Sequence, residues 1–363
     1  MTQNLVVRDA HLVGSVNQAT AEATFRAAAG ALGALAPRLP DGEVGERFHW
    51  MLFQGKRLEA TPGLVRVDMD PILHEGFDLR PLILDGTVEA AELQVPALGY
   101  AEAALESYAV FARLKAEGVI PEATRFQVCL PSPLAPVTSF VAASLRAAVL
   151  PAYEAALIRE VEAISAAIPA DQLAIQIDLA TEFGYIEGVS MGGGALEPFF
   201  AAEGASPQQI AAAAAALALP LAASVPAGVQ LGFHLCYGDV GEKHFVEPMT
   251  AGHLATVAQA LSDGAGRPVD WIHLPVPIER DDAAYFAPLA RLTLQEGTRL
   301  FLGAVHHEDG VDGARRRLAA AAPALAEAGI TEFGVGTECG FGRGPAERTE
   351  PLMRLHAEVI AGA

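Results

Sequence analysis

Three residues that follow or end apolar runs have the types and spacing of a soft-metal site. The segment GFHLCYGD sets His234 and Cys236 two positions apart. On an extended chain alternate side chains point the same way, so both can face one ion. Far along the chain, GVGTECGFGR places Cys339 in a glycine-rich turn after another apolar run. Two thiolates and one imidazole suit zinc, and an ion held by three protein ligands keeps a fourth position for a substrate thiol. Zinc (Zn2+) is therefore the expected cofactor. The competing reading is a chance grouping of core residues, because a lone buried cysteine is most often a small hydrophobe. That reading is assigned to Cys129, in the middle of RFQVCL.

Two clusters of ionisable groups follow apolar runs as well. His306, His307, Glu308 and Asp309 come after RLFLGAV, and Asp239, Glu242, Lys243 and His244 come after the His-x-Cys run. Most are expected to be solvated loop residues. His306 is singled out as a catalytic acid or base, because it directly follows its run and imidazole titrates near neutrality. Glu182 and Arg343 are further candidates, with a structural ion pair as the alternative for each.

Positioning such groups at one rim requires a repeating frame. From residue 125 onward, short apolar runs alternate with alanine- and leucine-rich stretches, the pattern of βα units around a parallel sheet. Strands are expected at 125–130, 172–178, 229–235, 269–276, 299–305 and 332–337, with HLVGSV (11–16) and a weaker run at 42–47 upstream. Eight such units predict an α/β fold, a single (β/α)8 TIM barrel spanning 1–363, whose catalytic groups lie at the C-terminal ends of the strands. Residues 55–122, with a possible ribbon LVRVDMD and amphipathic stretches at 89–98 and 101–118, read as an insertion between the second and third units, over the barrel mouth. Ser206-Pro207 and Asp281-Asp282 look like helix starts. Pro151 is expected to end one helix and start another.

Composition narrows the partners. The 363 residues are 52% hydrophobic, enough for a large core. With 44 acidic against 24 basic side chains the formal charge is −20, which repels nucleic acid and anionic membranes. Three cysteines are too few, and odd in number, for a disulfide framework, which fits a reducing compartment. The expectation is a cytoplasmic protein acting on a small molecule.

Six segments in order, LVGSVN (12–17), DGEVGER (41–47), LPSPLAPVTSF (130–140), IQID (175–178), HLCYGD (234–239) and TECGFGR (337–343), resemble the barrel of cobalamin-independent methionine synthase. More broadly they resemble the superfamily it shares with uroporphyrinogen decarboxylase and the coenzyme M methyltransferases. The resemblance spans nearly the whole chain. It implies zinc ligands at His234, Cys236 and Cys339, and an amino-acid pocket built from Ser15, Glu43 and Asp178, with Asp178 counted among the catalytic groups too. Glu43 and Asp178 would hold an ammonium group, and Ser15 with its backbone N–H would meet a carboxylate. The chain departs from that pattern where the synthases have a fourth ligand, a glutamate on the sixth strand. DWIHLPVPIER has Pro275 near that place and no carboxylate before Glu279, so His273 or Glu279 would have to substitute, or three ligands suffice. No counterpart of the synthases' N-terminal half-barrel is seen in these residues, which argues against their folate-polyglutamate donor.

The leading expectation is a zinc-dependent transferase that activates an amino acid or another thiol for methyl or alkyl transfer. A lyase or decarboxylase on the same barrel, with or without metal, is the alternative, although no arginine-rich segment near the N-terminus suits a polycarboxylate. A non-catalytic protein that binds sulfur compounds or metal is the third reading.

Overall fold

The computed structural model describes residues 5–190, 195–238 and 242–362; Asp239, named above, lies outside them. Eight parallel strands form one sheet: β1 (Val6–His11), β2 (Arg38–Pro40), β3 (Arg125–Pro131), β4 (Leu173–Leu179), β5 (Gln230–Leu235), β6 (Trp271–Pro275), β7 (Arg299–Gly303) and β8 (Glu332–Gly336). Neighbours run in the order β1, β8, β7, β6, β5, β4, β3, β2. Beyond their C-terminal ends, the chains leaving β1 and β2 meet in a parallel bridge from Ser15 to Gly42, where Val16 N–H donates to the Gly42 carbonyl at 3.0 Å. The sheet thus curls until its end segments touch, the arrangement of a TIM-like barrel.

Apolar runs without alternation become strands covered on both faces, as β4 shows with every residue buried. The longer helices are α1 (Ala21–Leu32), α2 (Tyr100–Ala116), α3 (Arg146–Ala167), α4 (Pro207–Ser224), α5 (Gly252–Gly264), α6 (Gly310–Glu327) and α7 (Thr349–Ala361). The expected starts hold. Ser206 and Gln209 form a capping box before α4, and Asp282 accepts the Tyr285 N–H at the start of a short helix.

Four expectations shift. The first strand begins earlier, as VVRDAH, and 11–16 forms the turn above it, because His11 already ends the ladder with β8. The second strand is Arg38–Pro40, and 42–47 instead holds a left-handed Glu43 and a 3-10 turn. Pro151 sits inside a continuous α3; the break falls at Val141 and Ala142, both extended. The stretch at 101–118 forms α2, which packs against α1, α3 and β3 in the outer layer, where the helix of the second unit belongs. The ribbon is present, Leu64–Arg66 pairing antiparallel with Leu82–Leu84.

The space inside the sheet is unusually polar. Ala174, Trp271 and Phe301 make a small apolar plug there. Gly232 makes room for it, since a Cβ at that position would lie 2.0 Å from the Trp271 ring. The Arg38 guanidinium covers the plug at 4.1 Å from the Trp271 ring, and burial lowers its pKa to about 10. His11, Gln127, Gln176, His234 and His273 are all buried.

Candidate metal centre and active site

Strand register sets the first ring of side chains. Asp178 on β4 and His273 on β6 both pair with His234 on β5, which puts the three at one level of the sheet. Cys236 follows β5 and Cys339 follows β8. A ring nitrogen of His234 and the two sulfurs all lie within 4.8 Å of one another, and the sulfurs are 3.5 Å apart. Two thiolates on one tetrahedral zinc stand about 3.8 Å apart, given a Zn–S bond near 2.3 Å, so a small adjustment admits the ion. Gly238 N–H donates to Cys236 Sγ at 3.2 Å.

The state of His234 is the sharper test of fit. Its Nδ1 lies 2.8 Å from His273 Nδ1, while its Nε2 is buried with no hydrogen-bond partner among the described residues. A buried ring nitrogen without a partner, on a histidine grouped with two sulfurs, is costly unless something is coordinated there. The donor set therefore fits zinc: His234, Cys236 and Cys339 would hold it. His273 is engaged with His234 through Nδ1 and is neither in the His/Cys cluster nor in the wall of the pocket beside it. Glu279 lines an adjoining, outer chamber.

A pocket of about 60 Å³ joins this triad to the other expected residues, with Ser15, Glu43, Asp178, His234, Cys236, Cys339 and Arg343 in its wall. Asp178 accepts from Gln176 Nε2 at 2.8 Å and from Trp50 Nε1 at 3.2 Å. Burial, then the neighbouring Glu43, pushes its carboxyl well above the usual range. Burial likewise raises Glu43 to about 7, against the opposing pull of Arg343 and Arg47. Glu43 (φ 53°) and Trp50 (φ 54°) are both left-handed non-glycine residues, and such strain concentrates where geometry matters for function. Glu43 N–H is tied to Asp41 Oδ1 at 3.0 Å, and Asp41 is fixed in turn by Arg47 and Ser107. Ser15 is clamped between β2 and the Cys339 turn, for a Cβ on Gly340 would fall 2.3 Å from its Oγ. Arg343 donates to the Phe48 carbonyl at 2.7 Å.

The other candidates lie elsewhere. Cys129 is buried below the pocket, its thiol donating to the Val13 carbonyl at 3.2 Å, and burial raises its pKa strongly. Glu182 is fully buried, accepts from Ser132 Oγ and is raised to about 7 by burial. His306 stands in the outer chamber, of about 410 Å³, which shares Gly238, Cys339, Gly340 and Arg343 with the inner pocket. Its Nε2 is 2.8 Å from the Val276 carbonyl, and burial lowers its pKa to about 4. Asp309 pairs with the fully buried Arg317 at 2.7 Å, a structural role. His307 contacts Arg348 and Glu308, Arg348 also pairs with Glu242, and Lys243 lines the same chamber. His244, expected in solvent, is nearly buried between Glu247 and Glu338.

Sequence reasoning passed over Glu338 and Trp50. Glu338 faces His306 Nδ1 at 3.7 Å and His244 Nε2 at 3.5 Å, and burial, with Glu247 and Cys236 nearby, raises its carboxyl well above the usual range. Its place beside Cys339 at a strand end was the available signal. Trp50, in a loop, offered none.

No family model matches the chain, and no curated protein matches it in sequence. Solved structures do match in shape. A putative vitamin-B12-independent methionine synthase from Listeria monocytogenes aligns over 99% of this chain and 98% of its own, with 14% identity and a TM-score of 0.58. A B12-independent methionine synthase from Shewanella sp. W3-18-1, solved in complex with selenomethionine, gives 13% identity, 98% and 97% coverage and a TM-score of 0.59. A methyltransferase from Methanosarcina mazei gives 15%, 99% and 95%, and 0.51. At this level of identity the likeness is one of fold: from end to end, the chain is built like the vitamin-B12-independent methionine synthases.

Proposed function

We propose that the protein is a zinc-dependent transferase of methionine synthase type, which activates the thiol of an amino acid for methyl or alkyl transfer. The observation that carries this reading is the single pocket in which the unpartnered His234 Nε2 and the paired sulfurs of Cys236 and Cys339 meet the Glu43 and Asp178 carboxyls. When bound, zinc supplies a Lewis acid that keeps a thiol deprotonated and nucleophilic at neutral pH.

The chain's own residues do the rest. Glu43 and Asp178 take up an ammonium group, and the Ser15 hydroxyl and backbone meet the carboxylate. This head-group assignment is supported by the selenomethionine bound to the Shewanella relative. The substrate sulfur then points at the triad, and alkyl transfer forms its S–C bond as the donor's bond to its leaving group breaks. His306 is neutral at pH 7; its Nε2 is held by Val276, leaving Nδ1 toward Glu338 as a proton-accepting group in the adjoining chamber. We place the donor in that chamber, and we read the whole chain as one catalytic unit, with the segment between β2 and α2 over its mouth.

The test is metal content together with calorimetry. The purified protein should carry one zinc per chain, and zinc-loaded protein should bind L-homocysteine with release of about one proton from the thiol. Metal-free protein with full activity, or no preference for homocysteine over its sulfur-free analogue, would overturn the proposal.

A further inference from the structure

His273 on β6, a candidate fourth ligand by sequence, occupies a place in the structure that suits a different task. It pairs in register with His234 on the neighbouring strand, and the two Nδ1 atoms are 2.8 Å apart. A hydrogen bond between two imidazole nitrogens needs one proton on one side, so one ring donates and the other accepts. The surroundings of His273 decide which. Its Nε2 makes no full hydrogen bond among the described residues and is buried against the β8 backbone at Gly336. The Thr337 backbone stabilises the protonated ring, and with Nδ1 turned to His234 the nitrogen left to carry that proton is Nε2. A neutral imidazole protonated at Nε2 has a lone pair at Nδ1. His234 Nδ1 must then carry the shared proton, and the unpartnered His234 Nε2 is left with the lone pair an ion would take.

We propose that His273 is a positioning residue for the metal centre: by accepting the His234 Nδ1 proton, it holds His234 in the tautomer and orientation that present Nε2 as a ligand. The proposal rests on the zinc reading given above. Histidine ligands commonly have their second nitrogen fixed by a carboxylate or a backbone carbonyl. Here the acceptor is a neutral ring, and charge gives the reason. Two thiolates with Asp178 and Glu43 already crowd the same end of the barrel with acidic groups, and a further buried anion behind His234 would carry a heavy desolvation cost. His11 supports the arrangement from below, its ring 5.4 Å from that of His273 and its Nε2 2.8 Å from the Gln176 carbonyl oxygen.

The experiment has two arms. In the first, nitrogen-15 NMR of the histidine-labelled, metal-free protein reads the tautomers directly, with signals assigned by loss in His273→Asn and His234→Asn. The expected result is a proton on Nδ1 of His234 and on Nε2 of His273; the reverse pair would overturn the proposal whether or not zinc binds. In the second, zinc affinity is measured by chelator competition. His273→Phe keeps a ring but removes the acceptor and should weaken zinc 10- to 100-fold, the usual effect of losing such a partner. His273→Asn restores an oxygen acceptor near the Nδ1 position and should stay within about threefold of wild type. Equal affinity in wild type and His273→Phe, or equal losses in Phe and Asn, would overturn the positioning role. Wild-type protein that takes up no zinc would remove the proposed function, and the NMR arm would still decide the tautomer.

Discussion

Trp50, at a left-handed φ of 54°, donates its indole N–H to Asp178 across 3.2 Å, so the floor and one wall of the inner pocket are joined by a single bond. Asp178 supplies charge and Trp50 only orients it, and their substitutions should differ accordingly. With L-methionine as a probe of the head-group pocket, Asp178→Asn is expected to weaken binding tenfold or more, because the ammonium loses a buried counter-charge. Trp50→Phe should cost less than tenfold. Calorimetry that found both substitutions equal would mean that the indole itself contacts the ligand.

The same probe should show a pH signature. Glu43 is raised to about 7 by burial, so at pH 6 it holds a proton in the empty pocket. An arriving ammonium favours the carboxylate and drives that proton out. Binding of L-methionine at pH 6 should therefore release up to one proton, and at pH 8 close to none from this group, visible as a buffer-dependent heat. Glu43→Gln should remove this group's share of the difference between the two pH values, leaving only what the raised Asp178 carboxyl contributes.

The three cysteines should separate cleanly. Cys236→Ser and Cys339→Ser are expected to lose most bound zinc, because thiolates dominate the affinity. Cys129→Ser should keep it, since that thiol is bonded to the Val13 carbonyl below the pocket. Metal analysis of the three purified variants decides this, and loss of zinc in Cys129→Ser would place that sulfur in the centre.

Glu182 carries a stability prediction. Its folded pKa, about 7, lies above the ordinary value of 4.5, so the folded state holds a proton that the unfolded chain gives up between these pH values. Its contribution is fully present below about pH 4.5 and is lost as pH rises through 7, by up to about 1.4 kcal/mol per pH unit for one group. Glu43 titrates in the same window. Urea unfolding at pH 5 and pH 8 should show wild type weaker at pH 8, and Glu182→Gln should narrow that gap. An unchanged gap would mean that Glu182 is ionised throughout.

Gly340→Ala tests the clamp on Ser15. The added Cβ would meet Ser15 Oγ at 2.3 Å and its backbone N at 2.9 Å, so the Cys339 turn must shift. Zinc affinity should fall at least tenfold, with a stability cost of about 1–3 kcal/mol. Full zinc affinity in this variant would show that the turn tolerates displacement.

How much was legible in advance follows from what each segment must do alone. Strands from β3 onward were readable because burial on both faces leaves an uninterrupted apolar run, and β4 is buried throughout. β1 and β2 were misplaced by several residues. VVRDAH alternates in burial at its start, and Arg38–Pro40 is too short and too polar to announce itself. The clustering of His234, Cys236 and Cys339 was visible since cysteine and histidine are chemically specific even without context, and Ser15, Glu43 and Asp178, which came through the family resemblance, line the same pocket. The carriers of orientation were not visible. Trp50 reaches Asp178 from a loop 128 residues away, and His273, named in the sequence only as a possible ligand, meets His234 across neighbouring strands; no local pattern encodes such a partner.

The seam of the ring bears on how the molecule holds together. Among the described residues, β1 and β2 share no ladder and the chains leaving them are joined by the Ser15–Gly42 bridge, whereas every other pair of neighbours shares a ladder of strand residues. Ser15 and Cys339 stand on one side of that seam and Glu43 on the other, and all three wall the inner pocket. On the proposed function, an amino acid gripped between them would be a clasp as well as a substrate, fastening the ring at its weakest joint. Occupancy would then be felt as slowed hydrogen exchange at the Val16 amide, and each turnover would briefly unfasten the barrel that carries it out.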